Sequence, residues 1–556
     1  MKKKHLLPAV ALLALPVCAQ EMENDGHYNP SLSGSVQSDM LVPQGTQSDG
    51  SHENFRTNTY LDLNFMSKFL DAGGRFSYLD HPLPGFEKDF KGWGVPYFYL
   101  KAKFRNVEVT GGNFYEQFGS GFILRTYEER SLGIDNSLFG ARAIVKPIKG
   151  VRLKGLAGRQ HRYWNYNHAW LAGADLELSI DQWVKALEQS GTYLTLGGSY
   201  LNKREGADED GSVFYDATHK LNFPASVDAW DVRANLQKGP FSLLAEYAQK
   251  TQDPSFDNGY IYRKGYAAML SASYSKKGFS VLAQAKRTDN MSSRSRRQMN
   301  GSSSFIDHMP AFTYEHTYTL AALYPYATQL AKGEWAYQGQ VGYNFKRRTL
   351  LGGKYGTGLQ VNFSHIHSIA KNPHGLAGIA GTAGGRGTDG YGSAFWKWGD
   401  ETYYQDFNVQ LDKRLTRNFK LHLMYMNQLY NKTAVEGEGG KIRSNIFVAD
   451  AKYQFSPKTT LRAEAQYLTT PNDEGDWAFG LLELSLAPHW MFTVSDEYNV
   501  GKTHKHYWNL LATYNVGSHR IQAGYVRTRA GYNCSGGVCR YVPSYQGWTV
   551  SYNYNF

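Results

Sequence analysis

The stretch from residue 111 to residue 147, GGNFYEQFGSGFILRTYEERSLGIDNSLFGARAIVKP, combines many charged side chains with large apolar ones. Arg and Glu side chains that face each other across an opening fix its size and its transverse electric field. Apolar residues such as Phe122 and Leu124 would anchor the stretch to an inner wall. We therefore predict that 111–147 contains an inward-folded constriction loop, whose polar members are Glu116, Arg125, Glu128, Glu129, Arg130, Asp135, Asn136 and Arg142.

The alternative for this stretch is a surface loop held by ordinary ion pairs, each worth about 0–1 kcal/mol. The residues that follow, KGLAGRQHRYW, add a basic group formed by Arg159, His161 and Arg162. In a lumen, a basic ladder of this kind would favour anionic solutes. At the rim of a membrane protein, the same cations would bind phosphates of lipid headgroups or lipopolysaccharide.

The elements that must position these residues are β-strands, because apolar and polar residues alternate from end to end of the chain. LRAEAQY at 461–467 and FNVQLD at 407–412 are two examples. Such alternation places the apolar residues on one face of a strand. A soluble sandwich and a membrane barrel both produce this pattern, so other features must separate them.

Turn lengths and aromatic residues favour the barrel. Short turns, such as 275–278 and 456–458, alternate with long polar or Gly-rich segments, such as 205–225, 291–316 and 370–400. Outer-membrane barrels join their strands by short periplasmic turns and long outer loops. Tyr and Trp also recur near the strand ends, where a membrane barrel meets the lipid headgroups.

The last ten residues, GWTVSYNYNF, have one apolar face and one face of Thr, Ser and Asn. An alternating final strand that ends in Phe resembles the signal that the barrel-assembly machinery recognises. We expect this strand, within 545–556, to pair with the first strand, because an open edge in lipid leaves backbone groups without partners. The residues of the predicted insertion signal are Trp548, Val550, Tyr552, Tyr554 and Phe556.

The alternating segments predict an all-β fold, a single transmembrane antiparallel β-barrel of about 20–24 strands. No separate plug domain is expected, because alternation begins soon after the N-terminal signal. Residues 181–191 are predicted to form one or two helical turns, and 317–327 is either a strand or part of a long folded loop. The predicted strands are 31–42, 57–67, 70–79, 95–105, 107–118, 138–147, 151–164, 171–180, 192–204, 226–237, 240–251, 264–275, 279–289, 334–345, 356–369, 402–414, 418–431, 442–456, 459–470, 477–487, 490–500, 504–515, 519–532 and 545–556.

The N-terminus, MKKKHLLPAVALLALPVCAQ, is typical of a signal peptide over residues 1–19, which leaves a barrel over 20–556. The alternative is a lipoprotein acylated on Cys18. It is disfavoured because Val17 is larger than the residue that usually precedes such a cysteine.

Export to an oxidising compartment predicts a disulfide between Cys534 and Cys539 in NCSGGVC. Two glycines among the four intervening residues suit a hairpin tip that brings the two side chains together. A metal-binding pair is the alternative.

Composition and motifs argue against several classes of function. The net charge of +11 falls to about +8 without residues 1–19, which hold three lysines and no acid, and nucleic acid is not an expected partner. No strained GxSxG nucleophile motif occurs in a strand-to-helix frame, so we expect no enzyme. We also expect no cofactor or metal, because His365 and His367 share a strand face without a third ligand.

Three stretches resemble a known family: FGSGFILRTYEERSLGIDNSLFGARA, the Gly-rich loop near 370–400, and RTRAGYNCSGGVCRYVPSYQGWTVSYNYNF. They are similar to an uncharacterised family of outer-membrane β-barrels from Bacteroidetes, a domain of unknown function. This resemblance implies a barrel in the outer membrane of a Gram-negative cell, surrounded by lipid and lipopolysaccharide. The order of Arg, acids, Arg, Asp-Asn and Gly-x-Arg is also distantly similar to the inward-turning segment of alginate-export porins, over a match too short to carry a substrate.

The sequence therefore predicts a porin-like channel for a polar solute, and an anion or a saccharide would both be compatible. The alternative is a non-conducting structural or interaction barrel, a subunit of a surface, secretion or adhesion complex. Stepwise conductance in planar bilayers would separate these two classes.

Overall fold

The structure is a computed structural model that describes residues 30–45, 53–214, 217–299, 304–373, 389–535 and 538–556. The predicted signal peptide and its cleavage site lie outside these residues, as does much of the Gly-rich stretch within 370–400.

The described residues form thirty strands: β1 Ser31–Pro43, β2 Arg56–Met66, β3 Leu70–Leu79, β4 Gly92–Lys103, β5 Val107–Phe114, β6 Glu128–Glu129, β7 Ile134–Asp135, β8 Leu138–Val145, β9 Val151–Arg162, β10 Asn165–Ser179, β11 Thr192–Arg204, β12 Ser226–Lys238, β13 Phe241–Lys250, β14 Gly265–Lys276, β15 Phe279–Asp289, β16 Glu334–Phe345, β17 Thr357–Ile369, β18 Asn372–Pro373, β19 Tyr391–Gly392, β20 Trp398–Arg414, β21 Phe419–Asn431, β22 Lys441–Ser456, β23 Thr459–Thr469, β24 Trp477–Leu486, β25 Trp490–Asn499, β26 His506–Val516, β27 His519–Thr528, β28 Gly531–Ser535, β29 Val538–Val542 and β30 Tyr545–Asn555.

Twenty-four of these strands form one antiparallel sheet that closes into a barrel. The other strands form three short hairpins in the connections, β6 with β7, β18 with β19 and β28 with β29. The wall closes where β1 pairs with β30, from Ser35 opposite Asn555 to Pro43 opposite Gly547. The predicted antiparallel barrel is thus confirmed, and each predicted segment corresponds to one wall strand.

The connections are mostly short at one end of the barrel and mostly long at the other. We call the end that holds Ser31 and Phe556 the terminal end and the opposite end the loop end. The predicted helical turns lie at the terminal end, as the 3-10 turn Ile180–Gln182 and α1, Lys185–Gln189. At the loop end lie α2, Lys432–Glu436, and the 3-10 turns Lys88–Phe90, Arg130–Leu132 and Phe256–Asn258. In the part of the chain that the structure describes, no helix has the length and apolar character needed to cross a membrane.

The two faces of the wall differ as the alternation predicts. On β30, Trp548 is 56% exposed, whereas Ser551 on the opposite face donates a hydrogen bond to Asp39 of β1 at 2.6 Å. Large apolar side chains are exposed all round the outer face, among them Leu63, Phe76, Phe98, Leu153, Leu176, Leu196, Val232, Leu270, Val341, Phe363, Leu423, Phe447, Leu482, Phe492, Leu510, Ile521 and Val550. Water alone would not favour such a surface.

Cys534 lies opposite Cys539 in the hairpin of β28 and β29, and the two form the predicted disulfide. The hairpin lies at the loop end, between β27 and β30. Its Val538 packs against Leu132 and Ile134, so the hairpin covers part of the connection between β5 and β8.

Two connections at the loop end turn into the barrel. We call residues 115–137 the first inner segment and residues 290–299 with 304–333 the second inner segment. Their apolar side chains meet inner-face wall residues in one buried cluster, which includes Phe118, Phe122, Leu124, Leu156, Leu171, Ile306, Phe312, Leu320, Leu323 and Met426. The main hydrophobic core therefore lies inside the barrel, between these segments and the wall.

Candidate functional site

Arg75 ties the first inner segment to the wall. Its guanidinium lies 2.7 Å from Asp62, 2.7 Å from Glu128 and 3.3 Å from Asp135. Arg130 completes the group, 2.8 Å from Asp62 and 2.7 Å from Glu128. Since Asp62 belongs to β2 and Arg75 to β3, these ion pairs join the segment to the wall.

Asp135 keeps its negative charge in this group. Burial opposes its ionisation, but the neighbouring His161 and Arg75 and the backbone N–H of Ser137 outweigh burial and lower the pKa of Asp135 to about 2. Arg75 therefore retains this partner throughout the physiological pH range.

A second group of ion pairs surrounds Glu116. One of its carboxylate oxygens lies 3.0 Å from Arg142 of β8, and the other lies 3.0 Å from Lys154 of β9. Lys154 also lies 3.5 Å from Asp175 of β10. The first inner segment is thus bound to the wall at two separate places.

The remaining constriction candidates lie outside these two groups. Asn136 accepts a hydrogen bond from the backbone N–H of Tyr127 at 2.6 Å and donates one to the carbonyl of Phe305 at 3.1 Å. The second of these bonds links the two inner segments. Glu129 caps the 3-10 turn that follows it, and the Arg125 guanidinium lies 5.1 Å from the centre of the Tyr127 ring. A constriction role for all eight candidates stays a prediction.

Arg159, His161 and Arg162 do not form a continuous ladder on one face. Arg159 and Arg162 are three positions apart in β9, so their side chains point to opposite faces. Arg159 donates to a backbone carbonyl of β10 at 2.8 Å, Arg162 lies 3.0 Å from Asp89, and His161 lies 3.7 Å from Asp135. A role at the rim stays a prediction for this group. His365 and His367 share the outer face with Phe363, not the lumen.

The second inner segment is held by buried lysines that the sequence did not single out. Lys203 Nζ lies 2.7 and 2.8 Å from the two carboxylate oxygens of Asp253, and it donates to the carbonyl of Arg294 at 2.9 Å. Lys250 donates to the carbonyl of Ser292 and lies 3.5 Å from Asp253. All three charged side chains are almost completely buried.

Lys286 of β15 forms a third attachment. It lies 2.9 Å from Glu334 of β16, and both side chains are fully buried. Lys286 also donates to the carbonyl of Pro310 at 3.1 Å, and Glu334 accepts from the hydroxyl of Tyr326 at 2.5 Å. A signal for these contacts was present in the sequence, because inward-facing lysines stand near the loop ends of β11, β13 and β15.

Farther from the loop end, the second inner segment crosses the inner wall. His316 lies 2.6 Å from Asp406 of β20, and the hydroxyl of Tyr318 donates to Asp450 of β22 at 3.2 Å. The backbone N–H of Leu320 donates to a glutamine of β23 at 2.8 Å. Residues 317–327 therefore belong to a folded loop and not to the wall, and 291–316 is not the outer polar loop that its sequence predicts.

Two cavities lie at opposite ends of the barrel, and this segment lines the one at the loop end. A cavity of about 1520 Å³ at the terminal end is lined by wall residues that include Lys420 and Asp450. A cavity of about 320 Å³ at the loop end is lined by the second inner segment, including Asp307, and by the disulfide hairpin, including Cys539. The two cavities share no lining residue. Because Tyr318 contacts Asp450 of the first and residues 327–332 line the second, the segment extends from one cavity to the other.

Asp307 is a buried carboxyl group in the lining of the loop-end cavity. Its Oδ1 accepts the backbone N–H of Ser293 at 2.8 Å, whereas Oδ2 has no hydrogen-bond partner among the described residues. Burial raises the pKa of Asp307 to about 7, and Lys250 and Ser293 offset this only in part. Because the pKa of Asp307 is raised in the folded protein, protonated Asp307 stabilises the folded segment. This stabilisation is fully present below the ordinary carboxyl pKa of about 4, and it is lost as the pH rises through 7.

We therefore expect the second inner segment to loosen between pH 5 and pH 8. Hydrogen exchange of its backbone amides, corrected for intrinsic rates, should be faster at pH 8 in the wild type. The D307N variant cannot ionise, so its corrected exchange should be the same at both pH values. A pH dependence that persists undiminished in D307N would contradict this assignment.

A closed antiparallel wall with an apolar outer face and a polar inner face defines a transmembrane β-barrel of the outer-membrane type. Because the wall is closed, no unpaired strand edge of the wall faces the lipid, and the exposed apolar side chains contact the hydrocarbon. The chain belongs to a family of unknown function (DUF6029), whose family model matches residues 1–556. Membership of an uncharacterised family is thereby confirmed, while the bacterial group and the similarity to alginate-export porins stay predictions. Among curated proteins, none matches the chain.

Solved structures with a similar outline are outer-membrane proteins. The siderophore receptor PirA from Pseudomonas aeruginosa is 9% identical, with 95% of this chain and 81% of that chain covered and a TM-score of 0.43. The P pilus usher PapC translocation pore is 10% identical, with 94% and 99% covered and a TM-score of 0.38. The copper transporter OprC is 11% identical, with 96% and 81% covered and a TM-score of 0.38. At these scores the likenesses carry no argument about function.

Proposed function

We propose that the protein is an outer-membrane channel for a polar solute and that the two inner segments control passage. The observation that carries this proposal is that the second inner segment extends between two cavities that share no lining residue. Cavities of about 300–1000 Å³ suit small ligands. The loop-end volume of about 320 Å³ lies within this range, and the terminal-end volume of about 1520 Å³ exceeds it, so both ends have room for a small polar solute. We infer that such a solute passes from one cavity to the other when the two inner segments move.

The ion pairs that hold the inner segments to the wall are compatible with movement of these segments. Buried ion pairs fix one arrangement, yet they add little net stability because the cost of desolvation offsets the attraction. The pairs at Arg75, Glu116, Lys203 and Lys286 therefore specify the closed arrangement without making it much more stable than an open one. These ion pairs support passage of a solute without an enzymatic reaction.

The orientation follows from the connections. Barrels of this type place short turns in the periplasm and long loops outside the cell. We therefore assign the terminal end to the periplasm and the loop end to the cell surface. We also assign recognition by the barrel-assembly machinery to the insertion signal formed by Trp548, Val550, Tyr552, Tyr554 and Phe556.

The R130E variant tests control by the first inner segment. A glutamate at position 130 would stand beside Asp62 and Glu128, and repulsion should free the segment from the wall. In planar bilayers we expect stepwise conductance at least about tenfold above that of the wild type, with a shift toward cations. The K185E variant carries the same change of charge on the exposed helix α1 and should behave as the wild type.

Two results would contradict the proposal. One is a wild-type protein that already conducts like an unobstructed barrel. The other is an R130E protein that is folded, as judged by heat-modifiable mobility, and still silent. Silence would favour the non-conducting interaction barrel.

A further inference from the structure

We propose that the terminal-end cavity binds anions that carry two or more phosphate or carboxylate groups. The inner face of four successive wall strands presents four cations side by side. Arg414 of β20 is opposite Lys420 of β21, Lys420 is opposite Lys452 of β22, and Lys452 is opposite Arg462 of β23. Opposite residues lie about 4.5–5.5 Å apart, so this basic row spans roughly 15 Å.

The basic row destabilises the wall through repulsion between neighbouring cations. Like charges directly opposite each other destabilise a sheet. Lys420 and Lys452 are exposed and form no ion pair or hydrogen bond within the described residues. In the row, Arg462 alone forms ion pairs within those residues, with Asp450 at 3.0 Å and with Glu464. A multivalent anion would relieve the repulsion between the other cations.

The cavity around the basic row has a positive field and ample room. Nine Lys and Arg residues line it against three acids, so anions are attracted from the solution at this end. Two positions farther along each strand lies a mostly acidic row, in which Asp412 is opposite His422, His422 is opposite Asp450 and Asp450 is opposite Glu464. An anion should therefore stop at the basic row.

Arg462 links the basic row to the second inner segment. It shares Asp450 with Tyr318, whose hydroxyl lies 3.2 Å from that carboxylate. An anion that draws Arg462 away from Asp450 would alter the contact at the floor of the cavity. This inference deepens the proposed function. Passage of the anion rests on the proposed function, whereas binding of the anion does not.

Calorimetric titration of the full chain in detergent with tripolyphosphate tests the binding. The wild type should bind saturably, and the K420Q/K452Q variant should bind at least about tenfold more weakly. The K185Q/K458Q variant removes the same charge from the same end, at positions that do not line the cavity. It should bind as the wild type does. Inorganic phosphate should bind the wild type more weakly than tripolyphosphate.

Three results would overturn the proposal. They are no saturable binding to the wild type, an equal loss in the two double variants, and equal affinity for phosphate and tripolyphosphate. Heat-modifiable mobility shows that each variant is folded. The titration needs no conductance, so silent bilayers would count against the proposed function alone, and failure to bind would count against this inference alone.

Discussion

Replacement of residues 310–327 by two glycines should produce a permanently open channel. The ends of this stretch are already close, because the hydroxyl of Thr328 donates to the carbonyl of Met309 at 3.1 Å. The excised residues include side chains of the buried cluster inside the barrel, among them Phe312, Leu320, Leu323 and Tyr324. The wall strands β15 and β16 stay intact on either side.

In planar bilayers, we expect conductance steps one to two orders of magnitude larger than those of the wild type, since wide barrels without internal segments hold aqueous channels. Replacement of residues 183–190 by two glycines is the matched control. It removes the exposed helix α1 at the terminal end and should leave conductance unchanged. A folded excision variant that stays silent would show that the second inner segment is not what closes the barrel.

The K203M variant should release the start of the second inner segment. Asp253 would lose its main partner while remaining buried. Burial raises the pKa of Asp253, but Lys203 and Lys250 outweigh burial and hold it below its ordinary range. Removal of one member of a buried ion pair costs about 3–5 kcal/mol, which is enough to undock a loop.

Trypsin measures this release directly. Arg294 and Arg297 are 2% and 1% exposed, so the wild type should resist cleavage after them and K203M should be cut. The K203M/D253L variant replaces both charges by apolar groups and leaves Lys250 near Asp307. Such double replacements are often nearly neutral, so resistance should return. Equal cleavage of the single and double variants would contradict the role of the pair.

The wall could be predicted from the sequence because its determinants are local. Each strand needs one apolar and one polar face, and in β30 the alternation from Trp548 to Asn555 specifies both. Closure of the barrel requires no additional sequence pattern, because the two edge strands of a sheet in lipid must pair with each other. The inward course of the first inner segment could also be predicted, because Phe122 and Leu124 have no reason to face water in an outer loop.

The attachments of the inner segments could not be predicted, because their partners are distant in the chain. Lys203 and Asp253 are 50 positions apart, and His316 and Asp406 are 90 apart. The stretch SSRSRRQ after β15 looks like an exposed polar loop, yet Arg294 lies 2.5 Å from Asp257 and Arg297 lies 3.1 Å from Glu205, both in neighbouring connections. Only the folded barrel brings these acids close enough to offset the burial of the arginines.

The seam between β1 and β30 makes closure of the barrel depend on two strands that are far apart in the chain. Gly34 and Phe556 exchange two backbone hydrogen bonds of 2.9 and 3.0 Å, and a Cβ at Gly34 would lie only 2.4 Å from the Phe556 ring. Ser551 and its partner Asp39 are 512 positions apart. A sheet edge left open in lipid exposes unpaired amides, so the wall closes only when both β1 and β30 are in place. A chain from which β30 is deleted should therefore fail to give a folded, heat-modifiable barrel, although every other wall strand is present.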